Sequence, residues 1–127
     1  MWSRDAASQA LGMRVIEVRP GHAQVAMAVR ADMTNGHGIC HGGLIFALAD
    51  SAFACACNSC GGTTVAAGAT IDFLLPARVG DELLATAVER SRSRRTGLYD
   101  VTVANGAGAV IALFRGRSHR IGEMPCS

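Results

Sequence analysis

Aromatic side chains are scarce in this chain. Tryptophan and tyrosine occur once each and phenylalanine four times, 5% of 127 residues. Trp2 and Tyr99 offer little surface for stacking bases, which argues against a nucleic-acid partner. Charge imbalance is also lacking, since a formal net charge of +2 is too small to mark such a partner. No secretory leader is visible: Arg4 and Asp5 interrupt the start and no apolar segment of leader type follows. The main apolar run, residues 44–57, is too short to span a bilayer and contains an acid, so no membrane association is expected. Five cysteines, an odd count without a leader, point to reduced thiols and a cytoplasmic protein. Repeats, low-complexity blocks and linkers are missing, so a single domain over residues 1–127 is expected.

Half of the residues are hydrophobic. Alanine and valine supply much of that half, and with 15 glycines besides, such small side chains favour close backbone packing. Residues 44–57 read L-I-F-A-L-A-D-S-A-F-A-C-A-C, with Asp50 as their one carboxylate. Burying an unpaired carboxylate costs several kcal/mol or more. Asp50 is therefore the leading catalytic candidate, against the alternative of an acid that escapes to solvent or pairs with an arginine.

The periodicity predicts a short helix over 3–11 stopped by Gly12, then strands over 13–18 and 22–30 joined at Pro20-Gly21. In the second strand Ala23, Val25, Met27 and Val29 share one face. A glycine-rich loop over 32–43 leads into a helix over 43–58, apolar nearly all round and so buried on most sides. Gly61-Gly62 is expected to end it. Strands follow near 63–74, 82–90, 97–104 and 109–118, the last two joined by an Asn105-Gly106 hairpin turn. A helix of about 24 Å, apolar on all sides, needs cover along its length. An α+β architecture satisfies this need, with one curved antiparallel sheet wrapped around one long central helix.

The segment Asn35-Gly36-His37-Gly38-Ile39-Cys40-His41-Gly42-Gly43, followed six residues later by Asp50, resembles the active-site segment of hotdog-fold acyl-CoA thioesterases. The similarity is greatest to the phenylacetic acid degradation group. It extends through Ala52-Phe53-Ala54, Thr70-Ile71-Asp72-Phe73-Leu74 with Pro76, Thr96 to Asp100, and Leu113 to Gly122. The resemblance implies a hotdog fold and hydrolysis of arylacetyl-CoA, such as phenylacetyl-CoA or hydroxylated derivatives. It also implies roles: Asp50 as catalytic acid, Gly42 as the carbonyl-polarising amide, Asn35 as the loop asparagine, and His41 as the histidine before the glycines. No cofactor is implied, and a tetramer built from two dimers is the family expectation.

The chemistry suits those residue types. Backbone N–H groups at a helix start are unsatisfied and carry the positive end of the dipole. Glycine lets such a donor approach a ligand closely. Asp50 would activate water or attack the carbonyl itself. Asn35 would orient water or carboxylate, or form an ordinary turn with Gly36; His41 would bind substrate or cap the helix. Gly42 and Asp50 lie eight residues apart, about 12 Å along one helix, too far to act on one thioester. A homodimer with its active sites at the subunit interface is therefore predicted, Asp50 of one protomer facing Gly42 of its partner.

Arginines cluster at Arg90, Arg92, Arg94 and Arg95 and again at Arg115, Arg117 and Arg120. Guanidinium forks bind phosphates well, and Arg94, Arg95 and Arg117 are assigned to the phosphates of coenzyme A. Cys55 and Cys57 point about 200° apart on a helix. They cannot share an ion, so no metal site is expected and the cysteines are read as small fillers. Asp72 is expected to point away from the core, with the mouth of the site as the alternative. Two other functions fit parts of the pattern: a hotdog hydratase or dehydratase using His41 with Asp50, and a non-catalytic acyl-CoA-binding module.

Overall fold

The computed structural model describes residues 2–60 and 63–121. A 3-10 turn over Trp2–Arg4 precedes helix α1 (Ala6–Ala10). Strands β1 (Arg14–Arg19) and β2 (His22–Ala28) follow, then helix α2 (Gly42–Cys57). Strands β3 (Thr64–Phe73), β4 (Glu82–Arg92), β5 (Thr96–Ala104) and β6 (Val110–Arg120) complete the chain. The expected Gly61-Gly62 stop and Gly122 lie outside the described residues.

All six strands join one antiparallel sheet in the order β1-β2-β4-β5-β6-β3. Strand β3 thus leaves α2 and crosses to the far edge beside β6. Helix α2 packs across the strands on one face of the sheet, which is the α+β arrangement expected for an apolar helix in need of cover.

The core lies between them. Ile45, Leu48, Ala49, Ala52, Phe53 and Ala56 of α2 are buried against Val25, Met27, Leu83, Val101, Val103 and Ile111. Four of the six aromatics cluster there: Phe53 lies 5.5 Å from Tyr99 and 5.8 Å from Phe114, and Phe46 lies 5.3 Å from Phe114, centroid to centroid. Such tilted pairs are worth about 0.5–1.5 kcal/mol each beyond burial. Glycine makes the approach possible: a Cβ at Gly116 would sit 2.9 Å from the Phe53 ring.

Local corrections have local causes. The helix expected over 3–11 is split at Asp5, whose Oδ1 accepts the Ser8 N–H at 3.0 Å and starts α1 afresh. Asn105-Gly106 is not a two-residue turn. The loop runs to Ala109, the Asn105 side chain accepts N–H groups of Ala107 and Ala109, and the positive φ of 85° falls on Gly108. Cys40, Cys55 and Cys57 are free, and burial raises the pKa of each, Cys57 to about 12. They stay protonated and packed, as small fillers should. Cys60, past the end of α2, departs from the expectation of reduced thiols: it is disulfide-bonded. Among the described residues no cluster of metal-ligating side chains occurs, and no helix is long and apolar enough to cross a membrane.

Candidate active site

The start of α2 is held from three sides. Cys40 donates its N–H to Ala77 O at 2.7 Å and His41 donates its own to Met33 O at 2.7 Å. His41 is the N-cap residue, in extended conformation, and its Nδ1 accepts the Gly43 N–H at 3.1 Å. This leaves the Gly42 N–H, the first of the helix, without an acceptor among the described residues. It is an unsatisfied donor at the positive end of a 16-residue helix. His41 thus takes the capping role of its two expected ones.

Asn35 is committed to its loop on one side only. Its Oδ1 accepts the His37 N–H at 2.9 Å, and its backbone N–H donates to Ile39 O at 2.8 Å. Its side-chain amide nitrogen makes no hydrogen bond among the described residues. Asn35 and Gly42 line one groove of about 400 Å³, walled by Ile39, Phe73, Leu74 and Leu75.

Asp50 sits elsewhere, about two turns further along α2. It is half-buried and has no hydrogen bond or ion pair among the described residues. Burial raises its pKa above the ordinary carboxylate value, and the nearby Asp5 adds to the rise. A chain of hydroxyls adjoins it: Ser8 Oγ donates to Asp5 Oδ2 at 2.7 Å and lies 2.7 Å from Ser51 Oγ. One protomer therefore gathers Asn35, His41 and Gly42, and leaves Asp50 apart.

The arginines divide into two sets. Arg115 grips Asp100 with two hydrogen bonds at 2.7 and 3.0 Å, and Arg90 joins the same carboxylate at 3.1 Å. The Arg115 contacts hold the Asp100 carboxyl below its usual pKa. Arg94, Arg95 and Arg117 form no ion pair among the described residues. Arg94 and Arg95 occupy the β4–β5 turn, where their carbonyls accept hydrogen bonds from Arg120. Arg117 lies across Gly68 of β3, where a Cβ would fall 2.5 Å from its Nη2. It shares a recess of about 300 Å³ with His119, Ser91 and Thr96. Asp72 faces outward, in a groove on the sheet's outer side with Asp100 and Arg115.

Sequence reasoning missed Phe73 and the Asp5–Ser8–Ser51 chain. An apolar residue ending a strand reads as core, and only the fold places it at the helix start. Asp5 ahead of Ala6-Ala7 did carry an N-cap signal.

Comparison with known proteins identifies the family. Residues 37–112 match the Thioesterase superfamily. The chain is 52% identical over 122 residues to acyl-coenzyme A thioesterase PaaI of Escherichia coli K12, covering 96% of this chain and 87% of that one. The structure of the E. coli PaaI protein from the phenylacetic acid degradation operon superposes with a TM-score of 0.95 at 51% identity, over 98% of this chain and 90% of that one. A Streptococcus mutans protein bound to acetyl CoA superposes with a TM-score of 0.85 at 27% identity, over 89% of this chain and 91% of that one. With its hotdog arrangement of one sheet around one helix, the chain belongs to the thioesterase superfamily.

Proposed function

We propose that this protein hydrolyses the thioester of acyl-CoA, with arylacetyl-CoA as its preferred class, to the free acid and CoA. The observation that carries the reading is a half-buried carboxylate with no partner among the described residues, on a helix whose first N–H has none among them either. Each group is costly to leave unsatisfied, and a thioester carbonyl with its attacking water satisfies both. The relative from the phenylacetic acid degradation operon supports the aryl preference. The S. mutans relative with acetyl CoA supports the coenzyme.

The site is completed by a second copy of the chain. Strand β3 is an open edge, rich in alanine and glycine, with Val65, Ala66, Ala67, Ala69 and Phe73 exposed. Antiparallel pairing of β3 with its own copy satisfies that edge. It also carries α2 past the partner's α2, so that Asp50 faces the partner's Gly42. The Thr64 end of one β3, beside Arg120 and the Arg94-Arg95 turn, then lies next to the Phe73 end of the other. There Arg117, with Arg94 and Arg95, receives the CoA phosphates. Two such dimers form the tetramer, and the protein works in the cytoplasm.

In the reaction Asp50 takes a proton from water as the oxygen attacks the carbonyl carbon. The Gly42 N–H holds the developing oxyanion, and Asn35 Nδ2 steadies water or substrate. The carbon–sulfur bond then breaks and Asp50 returns its proton to the departing thiolate. A hydratase would need the His41 imidazole for proton transfer at carbon; His41 Nδ1 accepts from Gly43, which leaves Nε2 alone for that role. Free-thiol release across a panel of CoA esters tests the reading. Phenylacetyl-CoA should be turned over fastest, and absence of thiol release from every ester would reject it.

A further inference from the structure

Three of the four phenylalanines, Phe46, Phe53 and Phe114, belong to the aromatic cluster under the sheet. Phe73 stands apart: it is 52% exposed at the end of β3. Its ring is not loose on the surface. A Cβ at Gly42 would meet ring carbons of Phe73 at 3.1, 3.4 and 3.5 Å, so the ring lies against the residue that opens α2. Leu74, Leu75 and Pro76 continue the same groove wall. An acyl group whose carbonyl oxygen meets the Gly42 N–H must leave that point along this wall. The face it meets first is an aromatic ring.

We infer that Phe73 is the specificity-determining residue for the acyl group, packing its ring against an aryl ring held one methylene from the thioester carbonyl. This rests on the thioesterase reading and names what selects its substrate. Aromatic pairs prefer tilted or offset contact and gain beyond simple burial, whereas a straight alkyl chain gains burial alone. Phe73 therefore acts on the choice between acyl groups more than on the chemical step.

The test compares phenylacetyl-CoA with hexanoyl-CoA in wild type, Phe73→Leu and Phe73→Tyr. Leucine keeps apolar bulk and removes the ring. Phe73→Leu should lower kcat/KM for phenylacetyl-CoA roughly 3–10-fold relative to hexanoyl-CoA, mostly through KM. Phe73→Tyr should keep the wild-type ratio. Equal losses on both esters, or an unchanged ratio in Phe73→Leu, would overturn the inference. So would a Phe73→Leu protein that dissociates on dilution and recovers the wild-type ratio when concentrated, because Phe73 would then serve the subunit contact. Asp50→Asn separates the two levels. If it remains fully active the thioesterase site itself is misassigned; if it is inactive and the ratio still fails to move, only the role of Phe73 is lost.

Discussion

The two edges of the sheet are built in opposite ways. Strand β1 is exposed along its whole length, yet it carries Arg14, Glu17 and Arg19. Arg14 pairs with Glu82, Glu17 lies 3.3 Å from Arg19, and the β1–β2 register slips between Val15 and Glu17. Charges and a bulge on an edge discourage pairing with other chains. Strand β3 has one charge in ten residues, Asp72, and otherwise small or apolar side chains. One edge is closed by its chemistry and the other is left open beside the groove at Gly42. The contrast is what favours β3 for the proposed subunit contact.

Removing the attacking group gives the largest effect. Asp50→Asn should lower kcat by about 10²–10⁴-fold, the range for a general base. The same variant should melt higher at neutral pH. A carboxyl with a raised folded pKa binds more protons native than unfolded in the window between the two values. Stability therefore falls as pH rises through that window, and the penalty is complete above it. Asparagine removes the penalty, so the gain in Tm should vanish in acid. In wild type kcat/KM should decline on the acid side at a pH above the ordinary carboxylate range. A decline only at the ordinary value would remove Asp50 as the base.

Removing the donor comes next. Gly42 opens α2, a position where a helix accepts proline and loses the N–H, and the added ring must also displace Phe73. Gly42→Pro should cost about 10²–10³-fold in kcat, as for one oxyanion donor. Mixing it with Asp50→Asn sharpens the contrast between edges. A mixed dimer holds one site with both groups intact, so an exchanged equal mixture should regain about a quarter of wild-type activity. A mixture as inactive as its parents would place the site within one protomer.

A charge on each edge should behave differently. Ala69→Lys on β3 should dissociate the dimer and reduce turnover by more than about tenfold, read by sedimentation and thiol release. Ile16→Lys on β1 should change stability by less than about 0.5 kcal/mol and activity not at all. Equal behaviour would erase the distinction. The smallest effect belongs to Arg117→Ala, a rise of about 2–5-fold in KM for CoA esters that added salt diminishes. A salt-independent KM, unchanged in the variant, would leave Arg117 a solvated charge.

Much of the fold is legible in residue order because its signals are local. Residues 44–57 are apolar with a cap at His41, and the helix runs from Gly42 to Cys57. The alternation of Ala23, Val25, Met27 and Val29 is matched by their burial. What pairs at a distance is not legible. Nothing in β3 announces that it lies beside β6, and nothing in the arginine runs tells Arg115, gripped by Asp100, from Arg117, which is not. At the site, the eight-residue spacing of Gly42 and Asp50 was legible, and the proposal of two helices rests on it. Phe73 stayed hidden because its neighbour across the groove lies 31 residues earlier.

The meeting of Ser8 and Ser51 ties the fate of α2 to the opening residues of the polypeptide. Ser51, shut away from water, loses its hydroxyl partner if Ser8 is removed, whereas Ser8 keeps Asp5 if Ser51 is removed. Fusions or trims ahead of β1 are therefore not neutral handles: they tug on the rung directly beneath Asp50, and a purification tag belongs at the opposite terminus.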